Sequence, residues 1–307
     1  MNRSSTVLLA LMFVSSVLSG TAIAESQSRT VAQLEAGQAD AGRDSEKENI
    51  VSTAKPVVLV VGASGSIGRP AATEAFRRGY ETRALVRDPA QAKLFPDGVR
   101  VVVGDLTRPE TLHAAVKDVT GIIFTHGING NDPKGAEQVN YGAVRNVLSV
   151  LKAPARIALM TTVGVTKPTI GHDWKRRGER LVRASGLPYT IVRPGWFDYN
   201  APDQQRLVMR QGDTHWAGSP SDGVVARAQI AQVLVASLTS PAANRKTFEL
   251  VAEKGVAQTD LESLFSALPA DPEEGYNGIR DRDNLPLAKE PSTVVRDLDA
   301  IRGQFKD

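Results

Sequence analysis

The feature that most constrains this chain is a glycine-rich loop set directly between a predicted strand and a predicted helix. The strand is Pro56-Val57-Val58-Leu59-Val60-Val61, a β-branched run typical of a buried strand in a parallel sheet. The loop reads Gly62-Ala63-Ser64-Gly65-Ser66-Ile67-Gly68, which is G-x-x-G-x-x-G. Glycines permit a tight turn and close approach of the backbone to a diphosphate, and the helix that follows presents free N–H groups. We therefore predict that Gly62, Ser64, Gly65, Ser66, Ile67 and Gly68 bind a dinucleotide.

Two other structures could carry this pattern. A glycine-rich turn without a ligand has the same composition, but here a second strand follows about twenty residues on, as a dinucleotide-binding βαβ unit requires. A hydrolase nucleophile elbow would need Gly62, Ser64 and a glycine at position 66, which is Ser66. The elbow is excluded, and the ligand-free turn stays the alternative.

Strand-like and helix-like segments alternate after the loop. Further strands are predicted over 82–86, 99–103, 121–125, 156–161 and 189–193, and helices over 70–78, 90–94, 109–116, 135–151 and 174–184. Past Gly195 the pattern becomes irregular, with predicted helices over 228–238, 259–268 and 293–304 and a strand over 247–251. Such alternation predicts an α/β fold, a Rossmann-like doubly wound parallel sheet, with a small irregular C-terminal substrate lobe contributed mainly by 196–307.

The first residues form a three-part secretory pattern. Arg3 precedes an apolar stretch over 7–18, and Ala22-Ile23-Ala24 is typical of a cleavage site. We predict a signal peptide over 1–24, a flexible linker over 25–55, the folded domain over 56–307, and export to the periplasm or medium with no membrane span left after cleavage. An uncleaved anchor, or a start site assigned too far upstream with a cytoplasmic protein, is the alternative.

Composition excludes several classes of function. The chain has no cysteine, which rules out disulfides, thiol nucleophiles and Cys-ligated zinc. Its four histidines are scattered without a close ligand spacing, so no metal site is expected. The net charge is +3 and no dense Lys/Arg block occurs, so nucleic-acid binding is not indicated.

The end of the second predicted strand bears on the choice of cofactor. NAD-specific sites place an acid there for the ribose 2′-hydroxyl. Here Arg87 is placed where it would contact a 2′-phosphate, and Arg69 directly follows the glycine loop. Two guanidinium groups near one phosphate favour NADP, while Asp88 keeps NAD possible. The alternative is that Arg87 is a solvated strand end.

Together these residues resemble the short-chain dehydrogenase/reductase (SDR) superfamily, specifically its atypical members with NmrA-like NAD(P)-binding domains. The matching segments lie between Val57 and Leu268: Gly62 to Gly68, the ALVRDP context of Leu85 to Pro89, Gly104-Asp105-Leu106, Thr125-His126-Gly127, Met160 to Gly164, and YTIVRPGWF from Tyr189 to Phe197.

The resemblance implies roles for the residues that follow successive strands. Asp105 and Leu106 would flank the adenine, and Thr125 to Gly127 would line the dinucleotide through backbone groups. Thr161 or Thr162 would take the place of the family's catalytic serine. Pro194 and Gly195 would border the nicotinamide.

The sequence departs from the family at its Tyr-x-x-x-Lys pair. Aligning the helix around Glu179 places Lys175 at the lysine, which the resemblance makes a ribose contact, and Gly171 at the tyrosine. In the family that tyrosine donates the proton, and glycine cannot. His172, which titrates near neutrality, and Tyr199 are candidate substitutes, with Asp173 orienting His172. The alternative is that His172 and Asp173 only cap a helix beginning at Trp174.

Two further groups of side chains leave alternatives open. Trp196 and Phe197 follow the sixth strand at the carboxyl edge of the sheet, where they either wall a hydrophobic substrate pocket or pack against the C-terminal lobe, and Trp216 has the same ambiguity. A basic helix face combines Lys175, Arg176, Arg177, Arg180 and Arg183. Such a face is most often solvated, and an anionic substrate or partner is the alternative.

Two functions follow. The first is an NADP(H)-dependent oxidoreductase acting on a carbonyl, enone or quinone-like acceptor near Thr162, His172 and Trp196, in which the cofactor supplies the hydride. The second, favoured by Gly171, is a non-catalytic NmrA-like sensor of the NADPH/NADP⁺ ratio. A sugar-nucleotide epimerase is a weaker third candidate, because its chemistry also depends on the absent tyrosine.

Overall fold

The computed structural model describes residues 55–128, 132–302 and 304–305. The strands are β1 (Val57–Val61), β2 (Glu81–Val86), β3 (Arg100–Val103), β4 (Gly121–Phe124), β5 (Arg156–Met160), β6 (Tyr189–Pro194), β7 (Trp196–Phe197), β8 (Arg206–Arg210), β9 (Val224–Val225) and β10 (Lys246–Glu253). The α-helices are α1 (Gly68–Arg77), α2 (His113–Val116), α3 (Pro133–Gly135), α4 (Gly142–Val150), α5 (Ile170–Ala184), α6 (Arg227–Ser237), α7 (Glu262–Ser266) and α8 (Ser292–Arg302). The predicted signal peptide and nearly all of the predicted linker lie outside the described residues.

Eight strands form one mostly parallel sheet in the order β3-β2-β1-β4-β5-β6-β10-β8. Only β8 runs antiparallel, against β10. A small parallel pair, β7 with β9, lies apart from this sheet. The strand order reverses between β1 and β4, and this is the switch point where ligands bind in open α/β sheets. The predicted Rossmann-like α/β class is confirmed.

Both faces of the sheet are covered by apolar side chains. In β1, Val57, Leu59 and Val61 belong to one hydrophobic cluster, while Val58 and Val60 belong to the other. Because successive side chains of a strand point to opposite faces, a strand buried on both faces must be continuously apolar. This explains the unbroken run before the glycine loop.

Several predicted boundaries were wrong. The helix predicted over 135–151 is α3, a π-helical segment Ala136–Tyr141 and α4 in succession. The helix predicted over 259–268 shortens to α7, and β8 was not predicted. Strand β8 is an edge strand of the sequence Arg-Leu-Val-Met-Arg, whose charged ends hide its apolar centre.

The start of α5 also differs from the prediction. The helix begins at Ile170, and the hydroxyl of its N-cap Thr169 accepts a hydrogen bond from the N–H of His172. His172 and Asp173 therefore lie within the first turn, and the interpretation of Asp173 as the N-cap of a helix beginning at Trp174 was wrong. Thr169 takes the cap because its hydroxyl reaches an otherwise free N–H of that turn.

The composition of α5 suggested a solvated basic face, but this face is not solvated. Arg176 and Arg180 are almost fully buried. The segment 271–290 packs across the helix and supplies partners for its arginines. Glu290 binds Arg177 at 2.6 Å and Arg180 at 2.7 Å. Asp271 lies 3.3 Å from Arg183, and Arg176 donates to the side chain of Asn277 at 3.1 Å. Buried guanidinium groups are retained only when paired in this way.

Within the part of the chain described, no helix is long and apolar enough to cross a bilayer.

Candidate functional site

A cavity of about 550 Å³ opens at the carboxyl ends of β1, β4, β5 and β6. Its wall includes Gly65, Ser66 and Ile67 of the glycine loop at one end and Trp196, Phe197 and Trp216 at the other. Between them lie Thr125, His126, Gly127, Thr161, Thr162, His172 and Lys175. One cavity thus joins most of the residues that the sequence singled out.

The glycine loop has the geometry that its composition predicts. Gly62 adopts φ +78°, and a Cβ there would lie 2.7 Å from the backbone nitrogen of His126. A Cβ on Gly68 would lie 2.2 Å from the carbonyl oxygen of Gly62, so α1 begins tightly against the strand end. No side chain caps the first turn of α1. Among the described residues, the N–H of Arg69 already donates to the carbonyl of Gly65, so the N–H groups of Ser66, Ile67 and Gly68 are the ones left for a ligand. Ser64, Gly62 and Gly68 shape the loop but do not line the cavity.

The residues after β2 lie outside the cavity. Arg87 and Arg69 are exposed, and neither side chain donates a hydrogen bond to any described residue. Asp88 is engaged: its carboxylate accepts from Ala90 N at 2.9 Å and caps the 3₁₀ turn Pro89–Leu94. Among the described residues, both guanidinium groups are thus without a partner, whereas one oxygen of Asp88 is engaged in the cap.

Asp105 and Leu106 follow β3, also outside the cavity. The Asp105 carboxylate accepts from the backbone and hydroxyl of Thr107, and these bonds, with the charge of Arg87, hold the pKa of Asp105 below its usual value. Leu106 packs against the core, and its carbonyl accepts from Asn146. Strands β2 and β3 pair in parallel with Val86 opposite Val103, so Arg87 and Asp105 follow neighbouring strand ends.

The segment after β4 forms the floor of the cavity. The Thr125 hydroxyl donates to the carbonyl of Val61 at 2.9 Å, tying the ends of β4 and β1 together. The His126 ring packs edge-on against Phe124, and its Nδ1 is buried without a partner among the described residues. Burial, and then the charge of Lys175, lower the pKa of His126 to about 4, so the ring is neutral at pH 7. From the sequence, His126 was expected only to line the dinucleotide through its backbone groups.

Of the two threonines after β5, only one is free to face a ligand. The Thr161 hydroxyl donates to Glu179 at 2.7 Å and is buried. The Thr162 side chain is half-buried, and its hydroxyl makes only a 3.2 Å contact with the carbonyl of Val163. Thr162 is therefore the better match to the family's serine position.

Helix α5 brings Lys175 and His172 to the cavity one turn apart. The Lys175 side chain lies beside Gly127, and its ammonium has no carboxylate or hydrogen-bond partner among the described residues. Burial lowers its pKa. Burial, and then the charge of Lys175, also lower the pKa of His172, whose Nδ1 is buried without a partner. Gly171 is buried in the same turn and offers no side chain.

The far end of the cavity is aromatic. Trp196 and Phe197 form β7, and Trp216 approaches from the segment after β8. Tyr199 packs edge-to-face on Trp196 with ring centroids 5.9 Å apart, but it is 64% exposed and does not line the cavity. Pro194 is buried in β6, where its carbonyl accepts from Val163 N at 3.0 Å, and Gly195 lines the cavity in its place.

A group of buried charges beneath the cavity was not predicted from the sequence. Arg193 is fully buried and donates to Glu179 at 2.7 Å and 3.0 Å and to Asp281 at 2.6 Å and 2.7 Å. Although burial opposes it, Arg193 holds the pKa of Asp281 below its usual range. The signal for this group was an arginine inside an otherwise apolar strand.

No group of three or more His, Cys, Asp or Glu side chains suited to a metal occurs in 55–128, 132–302 or 304–305.

The chain is similar in sequence to several known proteins. The chain is 27% identical over 266 residues to sanguinarine reductase from Eschscholzia californica, covering 70% of this chain and 97% of that protein. It is 25% identical to an NAD(P)H azoreductase from Xenophilus azovorans over 220 residues, 70% of this chain and 75% of the relative. It is also 26% identical to the photosystem II assembly factor Ycf39 of Cyanophora paradoxa over 230 residues, 69% of this chain and 68% of the relative.

Solved structures agree on the fold. The oxidoreductase ylbE from Lactococcus lactis superposes with a TM-score of 0.56 at 15% identity, over 69% of this chain and 96% of that one. The sequence model of a family described as NAD(P)H-binding matches residues 62–241, which run from the first glycine of the loop to beyond α6. This match confirms the predicted nicotinamide cofactor and the resemblance to atypical SDR proteins. The chain belongs to this family, described as NAD(P)H-binding.

Proposed function

We propose that this protein is an NADP(H)-dependent reductase of a carbonyl, enone or quinone-like acceptor. The observation that carries the proposal is that one cavity joins the glycine loop to an aromatic chamber and holds the Lys175 ammonium, which has no counter-ion among the described residues. A lysine left unpaired in a half-buried site is costly unless a ligand supplies its partner. A ribose hydroxyl and an acceptor oxygen are both suitable partners.

The proposed cofactor is NADP(H), with NAD(H) as the alternative. Arg69 and Arg87 have no partner among the described residues, and a planar guanidinium suits a phosphate. Asp88, the acid that could have bound a ribose 2′-hydroxyl, already caps a helical turn. Gly65 to Ile67 would hold the diphosphate, Asp105 and Leu106 the adenine, Thr125 and Gly127 the central portion, and Pro194 with Gly195 the nicotinamide.

When bound, the nicotinamide supplies the hydride. Reduction of a carbonyl also adds a proton to its oxygen, and Gly171 cannot provide one. Lys175 is the proposed donor, because burial lowers its pKa and so makes the Nζ ammonium a stronger acid. The Thr162 hydroxyl would orient the acceptor oxygen. Burial lowers the pKa of His172 and so favours its neutral ring, which would accept or donate one hydrogen bond at the same oxygen.

The relatives support an aromatic acceptor. Two of them are named for the reduction of sanguinarine and of azo compounds. In this chain Trp196, Phe197 and Trp216 would stack on a planar acceptor in the same way that aromatic rings pack on one another. A quinone needs less help from a protein acid than a simple ketone, which agrees with the absence of the tyrosine.

The second candidate is an NmrA-like sensor that binds NADP(H) without turnover. It is favoured by Gly171, and another relative is named as an assembly factor. Both candidates require the cofactor, so binding alone does not separate them.

The test is oxidation of NADPH by a panel of quinones, enones and aromatic carbonyls, monitored through the absorbance of NADPH. Wild-type protein is compared with Lys175→Met and with Lys152→Met, which removes an exposed lysine that does not line the cavity. Turnover that Lys175→Met abolishes and Lys152→Met leaves intact supports the reductase. Cofactor binding with no turnover on any acceptor overturns it in favour of the sensor.

Export by the predicted signal peptide is also a proposal. Its test is the mass of the mature N-terminus from cells that make the full chain, where cleavage after Ala24 is expected and an intact Met1 contradicts it.

A further inference from the structure

Asp213 is a buried carboxylate that holds two segments of chain together at the aromatic end of the cavity. It is 0% exposed and lies in the segment that follows β8. Its carboxylate accepts from Gly164 N at 2.5 Å, from Thr166 N at 2.6 Å and from the Thr166 hydroxyl at 2.8 Å. These donors belong to the loop after β5, and Gly164 lines the cavity.

The main chain of Asp213 fixes the opposite wall. Its carbonyl accepts from the indole nitrogen of Trp216 at 2.5 Å, so the position of Trp216 depends on Asp213. Asp213 adopts φ +48°, a left-handed conformation that costs a non-glycine residue energy and persists only where its surroundings hold it.

The same residue is anchored to the sheet. Its N–H donates to Glu249 of β10 at 3.1 Å, and Glu249 lies 3.5 Å from the buried Arg193. Arg193 binds Glu179, which accepts from Thr161 at the base of the same loop. One connected set of buried charges therefore fixes both walls of the chamber, the Gly164 loop and the Trp216 segment, to the sheet.

We propose that Asp213 is a positioning residue that sets the distance between the Gly164 loop and Trp216, and so the fit of the acceptor. This inference rests on the proposed reductase function. Asp213 touches neither the glycine loop nor any residue proposed to hold the cofactor. Its loss is therefore expected to weaken use of the acceptor and spare binding of NADPH.

The test variant is Asp213→Asn, which keeps the size of the side chain but turns one oxygen into an NH₂ group facing a backbone N–H. A displaced binding wall commonly costs about 10- to 100-fold. We expect KM for the best quinone of the panel to rise at least about tenfold while the Kd for NADPH changes by less than about twofold. Hydrogen exchange of the NADPH complex should quicken over 163–167 and 214–217 and stay unchanged in the glycine loop.

The matched control is Asp271→Asn. Asp271 is equally buried and accepts from Tyr189, Thr247, Arg183 and Ile279, but it lies away from the cavity. At a matched loss of thermal stability, Asp271→Asn should not shift KM for the quinone. An equal KM shift in both variants, or a parallel rise in the Kd for NADPH in Asp213→Asn, overturns the positioning role.

Failure of the proposed reductase function can be distinguished from failure of the positioning role of Asp213. If wild-type protein turns over no acceptor, the exchange measurement decides alone. Faster exchange in both segments of Asp213→Asn, with the glycine loop unchanged, supports the role of Asp213 in holding the chamber, and unchanged exchange refutes it.

Discussion

Replacing Lys175 by methionine should stabilise the unliganded protein and weaken its binding of NADPH. The ammonium is desolvated, has no partner among the described residues and has a lowered pKa, which means that folding disfavours its charged form. Because the folded pKa of Lys175 lies below the unfolded one, carrying the charge costs the folded protein stability at low pH, and this cost disappears only as the pH approaches the unfolded pKa, so it is present at pH 7. Methionine has a similar length and no charge, so the variant should gain about 1 kcal/mol in free energy of unfolding, the usual size of a single-site effect.

Binding should change in the opposite direction. A hydrogen bond from a charged donor is worth about 1.5–3 kcal/mol, which corresponds to a rise in the Kd for NADPH of about 10- to 100-fold. The assay is urea unfolding of wild type, Lys175→Met and Lys152→Met, each with and without saturating NADPH. Loss of stability in unliganded Lys175→Met, or unchanged stabilisation by NADPH, would show that Lys175 is a structural lysine and refute the reasoning.

Three further predictions test other parts of the site. Arg87→Gln should raise the Kd for NADPH about tenfold and leave that for NADH within about twofold by calorimetry, because only NADPH carries the 2′-phosphate; equal effects on both would contradict an NADP site. Gly68→Ala should destabilise the fold by about 1–3 kcal/mol in thermal unfolding, since its Cβ would lie 2.2 Å from the carbonyl of Gly62; a neutral effect would mean that the loop has room. Burial, which outweighs the charge of Arg193, raises the pKa of Glu249 to about 7. The folded protein therefore favours the protonated carboxyl, and the stability that this protonation provides is lost as the pH rises through about 7. The advantage of Glu249→Gln in free energy of unfolding should therefore grow between about pH 4.5 and 7 to about 3 kcal/mol and then level off, whereas a pH-independent difference would contradict the shift.

The nucleotide-binding half could be predicted from the sequence because its signals are local. A β-branched run, three glycines at fixed spacing and a helix follow one another within about twenty residues, and each is required by backbone geometry. The family alignment placed Gly171 four residues before Lys175, although the predicted helix began only at 174, and residues four apart share a helix face. The structure puts both in the first turns of α5, with Lys175 at the cavity.

The rest depended on contacts between distant parts of the chain. Arg176 and Asn277 are 101 residues apart in sequence, and nothing local distinguishes a solvated basic helix from one covered by a later segment. The start of α5 was misplaced for a different reason: Asp173 and Thr169 are both good cap residues, and only the folded geometry selects Thr169. Asp213 gave no signal either, because its partners lie in a loop 47 and 49 residues earlier.

Calorimetric titration of the folded full-length protein with NADPH, and separately with NADH, is the most direct measurement of the central claim that the loop from Gly62 to Gly68 holds a dinucleotide whose extra phosphate Arg87 recognises. We expect saturable heat at one NADPH per chain and weaker association with NADH. Absence of heat with both dinucleotides from a protein that unfolds cooperatively would contradict it.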